Sequence, residues 1–141
     1  MKTFLKLTVA LFALGFATAN AELSDGQKAA IKAVTDAVAT GDESKVKAAV
    51  SAQVAAYPEI TGEIVSAGLK VTGVSEAIQN IIVKVAAWTA PAEILLIKNA
   101  IGGSGLSSER ITELKALATR TENAAKLAGK NRDSLPPPSV S

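Results

Sequence analysis

The chain has 141 residues, a formal net charge of +2, and neither histidine nor cysteine. Those two absences remove Ser-His-Asp and Cys-His nucleophile systems, zinc or haem sites built on His or Cys, and disulfide redox chemistry. Carboxylate, lysine and hydroxyl chemistry is all that remains.

The opening MKTFLKLTVALFALGFATANA reads as a secretory signal peptide over residues 1–21. Lys2 and Lys6 supply a positive n-region, Leu7 to Phe16 an uncharged h-region, and Ala19-Asn20-Ala21 the small residues a signal peptidase accepts. The apolar run is shorter than the roughly 20 residues a bilayer-crossing helix needs, so cleavage after Ala21 is expected. No twin arginine is present, which favours the general secretory route, and without cysteine the N-terminus cannot be lipid-modified. The expected destination is periplasmic or secreted.

Cleavage changes the composition. Lys2 and Lys6 leave with no acid, so 13 basic residues face the 13 acidic ones and the mature chain is formally neutral. No net basic character is left to grip nucleic acid. Phe4, Phe12 and Phe16 leave as well, and Tyr57 and Trp88 are the only aromatics that stay. The core must therefore come from Val, Ile, Leu and Ala, in a single modest domain over 22–130.

Six short helices are predicted in chain order. Ser24-Asp25-Gly26-Gln27 matches a capping box, followed by Ile31, Val34 and Val38 at helical spacing and a stop at Thr40-Gly41. Asp42 caps the second helix, whose inner face is Val46, Ala49, Val50 and Val54. Tyr57-Pro58 breaks the pattern, and proline suits the first turn of a third helix because its missing amide has no partner there anyway. Ile60, Ile64, Ala67 and Val71 form that helix's stripe, ending near Gly73.

Ser75 caps a fourth helix with Ile78, Ile81, Ile82, Val83 and Val85, the most buried of the set. The segment IIVKVAAW at 81–88 could be a buried strand by composition alone, but the caps, the alanines and the i, i+3/i+4 spacing favour helix. Thr89-Ala90-Pro91 restarts the chain into Ile94, Leu95, Leu96, Ile97 and Ile101, and Gly102-Gly103-Ser104-Gly105 breaks it. Ser107 caps the last helix, with Leu106 and Ile111 at the spacing of a hydrophobic staple. Its stripe runs through Leu114, Leu117, Ala118 and Leu127 to a stop at Gly129. Residues 131–141, with Pro136-Pro137-Pro138, are expected to form a Pro-rich disordered tail.

Pro58-Glu59-Ile60 and Pro91-Ala92-Glu93 lie 33 residues apart, with Val74-Ser75-Glu76 midway. Two short helices per 33 residues is the length of a helix-hairpin solenoid unit. The fold class is therefore all-α: a compact bundle or short solenoid-like array. Here the sequence resembles uncharacterised small exported bacterial proteins with Ala-rich short-helix repeats that open on x-Pro-Glu and continue Ile-Val-x-Ala. YPEITGEIVSAG at 57–68 is the best copy, with degenerate ones at 73–88 and 90–101. The resemblance implies a helical-repeat fold and brings no activity with it.

No catalytic, cofactor-binding or metal-binding residues are assigned. Glu59 and Glu63 are one turn apart, but both fall in the first turns of a helix, where negative charge is favourable. Gly103 to Ser108 lacks the Gly-Lys-Ser/Thr ending of a phosphate-cradling loop. The remaining expectation is a non-catalytic interaction, scaffold or assembly protein, through a protein partner or self-association. Tyr57 and Trp88 are the possible interaction surface, with core or rim packing as the default for each. The alternative is an envelope- or lipid-associated protein: no transmembrane span is predicted in the mature chain, but peripheral membrane contact is allowed.

Overall fold

Four side chains fix where the long helices begin. Ser24 Oγ accepts from Gln27 N at 3.1 Å while Gln27 Oε1 accepts from Ser24 N at 2.9 Å, closing the expected capping box. Asp42 Oδ1 accepts from the amides of Ser44 and Lys45, Ser75 Oγ from Ile78 N, and Ser107 Oγ from Arg110 N. Each such cap is worth about 1 kcal/mol of helix stability. In this computed structural model, which describes residues 22–130, they open α1 (Asp25–Thr40), α2 (Glu43–Ala56), α4 (Glu76–Thr89) and α6 (Ser108–Lys130). The predicted signal peptide and Pro-rich tail lie outside the described residues.

The two prolines do not start α-helices directly. Pro58 and Pro91 each open a single 3-10 turn, Pro58–Ile60 and Pro91–Glu93, which leads into α3 (Thr61–Leu69) and α5 (Ile94–Gly102). The preceding residues, Tyr57 (φ −134°, ψ 65°) and Ala90 (φ −134°, ψ 68°), adopt almost the same conformation, as the residue before a proline is kept out of the helical region. In the reverse connections the turn residue is glycine. Gly41, Gly73 and Gly105 have φ of 74°, 80° and 85°, and each stands one or two residues before the capping residue of the next helix. Only glycine enters that region at no steric cost.

These junctions make the 33-residue repeat a repeat of structure. Helices α2 and α4 are both 14 residues long, both 3-10 turns have three, and α3 and α5 both have nine. Core positions coincide across the offset: Val50 with Val83, Val54 with Ala87, Ile64 with Ile97, all buried. Among the described residues there are six α-helices and no strand, and 81–88 lies inside α4.

The helices form two layers. Helix α4 packs between α2 and α6 in one layer, and α3 packs between α1 and α5 in the other. Arg110, near the start of α6, bonds to residues in the first turn and a half of α4. The 3-10 turn that follows α4 also lies against α6, so the two helices run parallel. The core between the layers holds Val34, Val50, Ile64, Ile82, Ile97 and Leu114, all fully buried, and α4 contributes more buried side chains than its neighbours, as expected. Apolar area of this kind stabilises by roughly 25 cal/mol per Å². Alanine and glycine let the layers approach: a Cβ at Gly68 would sit 3.1 Å from Ile82 Cδ1 and 3.6 Å from Val34 Cγ1.

Two boundaries differ from the periodicity. Helix α3 stops at Leu69, and Val71, expected on its stripe, lies in the following turn, half-buried against the core. Helix α6 continues to Lys130 and carries Leu127 at 61% exposure, where an inward position was expected. With 23 residues against 14 in α4, α6 runs past its neighbour, and its last buried residue is Ala125.

Candidate interaction surface

The charged and polar groups are used to hold the helices together or to coat their outer sides. Gln79 in α4 occupies the repeat position of Val46 in α2 and is only 5% exposed. Its Oε1 accepts from Arg110 Nε at 2.7 Å, while Arg110 Nη2 donates to Asn80 Oδ1 (2.7 Å) and to the Glu76 carbonyl (3.0 Å). Arg110 Nη1 donates to Glu113 Oε1 at 2.8 Å within α6, so Nε and Nη2 tie α6 to α4 while Nη1 is held on its own helix. Periodicity could not find this pairing, because its partners are about 30 residues apart in sequence.

The two aromatics have separate neighbours. Tyr57 is half-buried beside the first turn of α1, where a Cβ at Gly26 would lie 2.5 Å from the Tyr57 hydroxyl. Next to it Gln27 Nε2 donates to Glu59 Oε2 at 2.9 Å, so Glu59 serves as a tie between α1 and the 3-10 turn. Trp88 is half-buried on the outward stripe of α4 that also carries Asn80 and Lys84, outside the packed core set. No group of three or more His, Cys, Asp or Glu side chains able to hold a metal exists among the described residues. In the Gly103–Gly105 loop, Ser104 Oγ donates to the Ile101 carbonyl at 2.6 Å and accepts from Leu106 N at 3.4 Å, so the loop is closed on itself as the end of α5.

The outermost helices are finished differently. The outward residues of α1 include Lys32 and Asp36, joined at 2.8 Å. Those of α6 include Glu109, Glu113, Arg120 and Asn123. Terminal helices of a repeat stack need such polar outer faces to stay soluble. Helix α5, at the other edge of the α1–α3–α5 layer, has no charged residue among its exposed ones; Lys98 is half-buried beside its outer stripe. Its exposed residues Leu95, Leu96, Asn99 and Gly102, with Ala92 of the preceding 3-10 turn and Gly103 just after the helix, follow helical spacing as one uncharged stripe. Leu95 is 71% exposed and Leu96 36%, and with Leu127 they are the exposed large hydrophobics.

The inner side of the same edge shows how this layer packs. Leu96 lies against α3 at Gly62, where a Cβ would be 3.3 Å from both Leu96 Cβ and the Leu96 carbonyl oxygen. One repeat later, the position of Gly62 is taken by Leu95. A seat for a neighbouring helix has thus become a projecting side chain.

No helix among the described residues is long and apolar enough to cross a membrane; α4 and the Pro91–Gly102 segment pass that test only together and are bent by 112°. No known protein family, no curated protein and no solved structure matches the chain.

Proposed function

We propose that the protein is a non-catalytic interaction or assembly module, exported to the periplasm or the cell exterior, that works through the outer edge of α5. The observation that carries this reading is the contrast between edges: α1 and α6 present charged outer faces, and α5 presents an uncharged stripe led by Leu95. A contiguous uncharged stripe of this kind, with Leu95 and Leu96 side by side on it, marks contact with something else. Export rests on the segment 1–21, and the resemblance to exported proteins with Ala-rich helical repeats agrees with that part.

A photo-crosslinking residue placed at Leu95, with the same residue at Ala116 on the outer side of α6 as control, tests the reading in the producing cell. Position 95 should give defined adducts and position 116 none. Equal labelling would remove the α5 edge as the working surface. The mass of the mature protein from the envelope or medium should correspond to a start at Glu22.

The second reading is contact with lipid through the same edge, supported by the exposed Leu95 and Leu96 side chains. Flotation with liposomes separates the two: the module should stay in the soluble fraction, and a lipid-binding protein should rise with the vesicles.

A further inference from the structure

The exposed stripe of α5 has an internal symmetry that names its occupant. Leu95 and Leu96 stand four and three residues before Asn99; Gly102 and Gly103 stand three and four residues after it. In two antiparallel helices related by a two-fold axis, a residue a given distance before the axis meets one the same distance after it on the partner. An axis at Asn99 therefore lays Leu95 and Leu96 of one copy on Gly102 and Gly103 of the other, twice over. It also brings the Asn99 amides of the two copies together, where each can donate and accept.

We propose that the outer face of α5 pairs with α5 of a second copy, antiparallel about Asn99. This rests on the reading of the α5 edge as the working surface and adds the partner.

Three observations carry it. The kind of contact it creates, a Leu against a helical Gly, is one this layer already makes internally, where Leu96 lies against Gly62 of α3. The outer faces of α1 and α6 carry charge, and that of α2 beyond its first turn shows only alanines (Ala48, Ala52, Ala55, Ala56), so the α5 stripe is the edge on which large apolar side chains stand exposed and finds its match in itself. Closed two-fold pairing is also the commonest way for a chain to cover such an edge. Gly103 is free to receive a side chain, and Gly102 is covered by one flexible side chain alone. At Gly103 (φ −94°) the nearest atom to a Cβ would be the Asn99 carbonyl at 3.6 Å. At Gly102 only the end of the flexible Lys115 side chain, 3.4 Å from such a Cβ, has to swing aside. A buried asparagine at the axis would fix the register, as one polar residue does in helix pairs.

A contact made by one short helix per copy is at the small end of specific interfaces. The dimer should therefore dissociate in the high-micromolar range, on the order of 100 µM.

Because the chain has no cysteine, Asn99→Cys supplies a clean probe at the axis. Under mild oxidation, N99C should form a disulfide-linked dimer at least about tenfold faster than Ala116→Cys. Adding Leu95→Glu, which puts charge on the stripe, or Gly103→Leu, which fills the seat, should bring N99C down to the control rate. Circular dichroism of the two added variants should match that of the unmodified chain, since both sites are exposed. Sedimentation of the unmodified protein should show reversible self-association that L95E weakens by about a hundredfold, with one Leu lost from each copy. An N99C crosslinking rate equal to that of A116C would overturn the pairing, as would a protein that stays monomeric at millimolar concentration. If that monomer still gives position-95 adducts in the cell, or floats with liposomes in a way that L95E abolishes, self-pairing falls and the α5 edge stands with another occupant. If L95E changes nothing in any assay, both fall.

Discussion

Arg110 Nε donates to the Oε1 of Gln79 at 2.7 Å, and the guanidinium satisfies a side chain that is otherwise sealed between helices. Removing one partner leaves a buried amide oxygen without a donor, which costs more than the hydrogen bond contributes net. Arg110→Met should therefore destabilise by about 3 kcal/mol in urea unfolding followed by circular dichroism. The double variant Q79L/R110M, which removes both polar ends, should return to within about 1 kcal/mol of the parent. Glu113→Ala should change stability by less than about 0.5 kcal/mol, because the Glu113 side chain is mostly exposed and its ion pair is solvent-screened.

Gly62 and Gly68 sit on the same nine-residue helix but should respond to alanine differently. Either change gains about 1 kcal/mol of helix propensity. At Gly62 the new Cβ meets the Leu96 carbonyl at 3.3 Å, and a backbone atom held in α5 cannot yield without moving the helix. Overpacking costs of about 1–3 kcal/mol then exceed the gain, and G62A should be destabilised by about 1 kcal/mol. At Gly68 the closest atom is the end of the Ile82 side chain at 3.1 Å, which can rotate. Gain and cost nearly cancel there, and G68A should fall within about 0.5 kcal/mol of the parent. Thermal or urea midpoints in the order parent and G68A above G62A would bear this out; the reverse order would not.

Asp42 is the sole side-chain cap of α2 and accepts from two amides, at 2.9 and 3.3 Å. Its charge also lies at the positive end of the helix dipole. Asp42→Ala should cost about 1–2 kcal/mol, and Asp42→Asn, which keeps the acceptor and loses the charge, about half of that. The exposed Lys32–Asp36 pair on α1 is worth far less, and Asp36→Ala should cost about 0.3–0.5 kcal/mol.

These positions divide by how far away their partners are. Ser24, Asp42, Ser75 and Ser107 were legible because a cap and the amide it serves are two or three residues apart. The prolines gave the repeat length for the same reason, although the single 3-10 turns after them were not foreseen. Periodicity marked Leu95, Leu96 and Leu127 alongside truly buried residues, because a stripe records which side of a helix is apolar, not whether another helix is there to cover it. Arg110 was passed over because nothing local distinguishes it from the other basic residues. The α5 edge was visible only once both layers and the charged outer sides of α1 and α6 were in place.

Trp88 tests where the second candidate aromatic belongs. It is the single tryptophan of the chain, half-buried on the outward stripe of α4 and not part of the packed core. Its fluorescence should be quenched partly by acrylamide in the folded protein, more than a sealed core Trp would be, and clearly more so after unfolding. Truncating it to alanine should cost about 2–3 kcal/mol, less than for a fully buried Trp, since part of its area is already in water. Ile64→Ala, by contrast, empties a fully buried site between the layers and should cost about 2–5 kcal/mol. If Trp88 were an interaction anchor in the same surface as Leu95, W88A would slow N99C crosslinking as strongly as L95E does. The stripe it occupies belongs to the other layer, so W88A should leave the crosslinking rate within about twofold of the parent, a change of under roughly 0.5 kcal/mol in the contact. A strong loss would instead join both residues into one surface running around the Thr89–Pro91 bend.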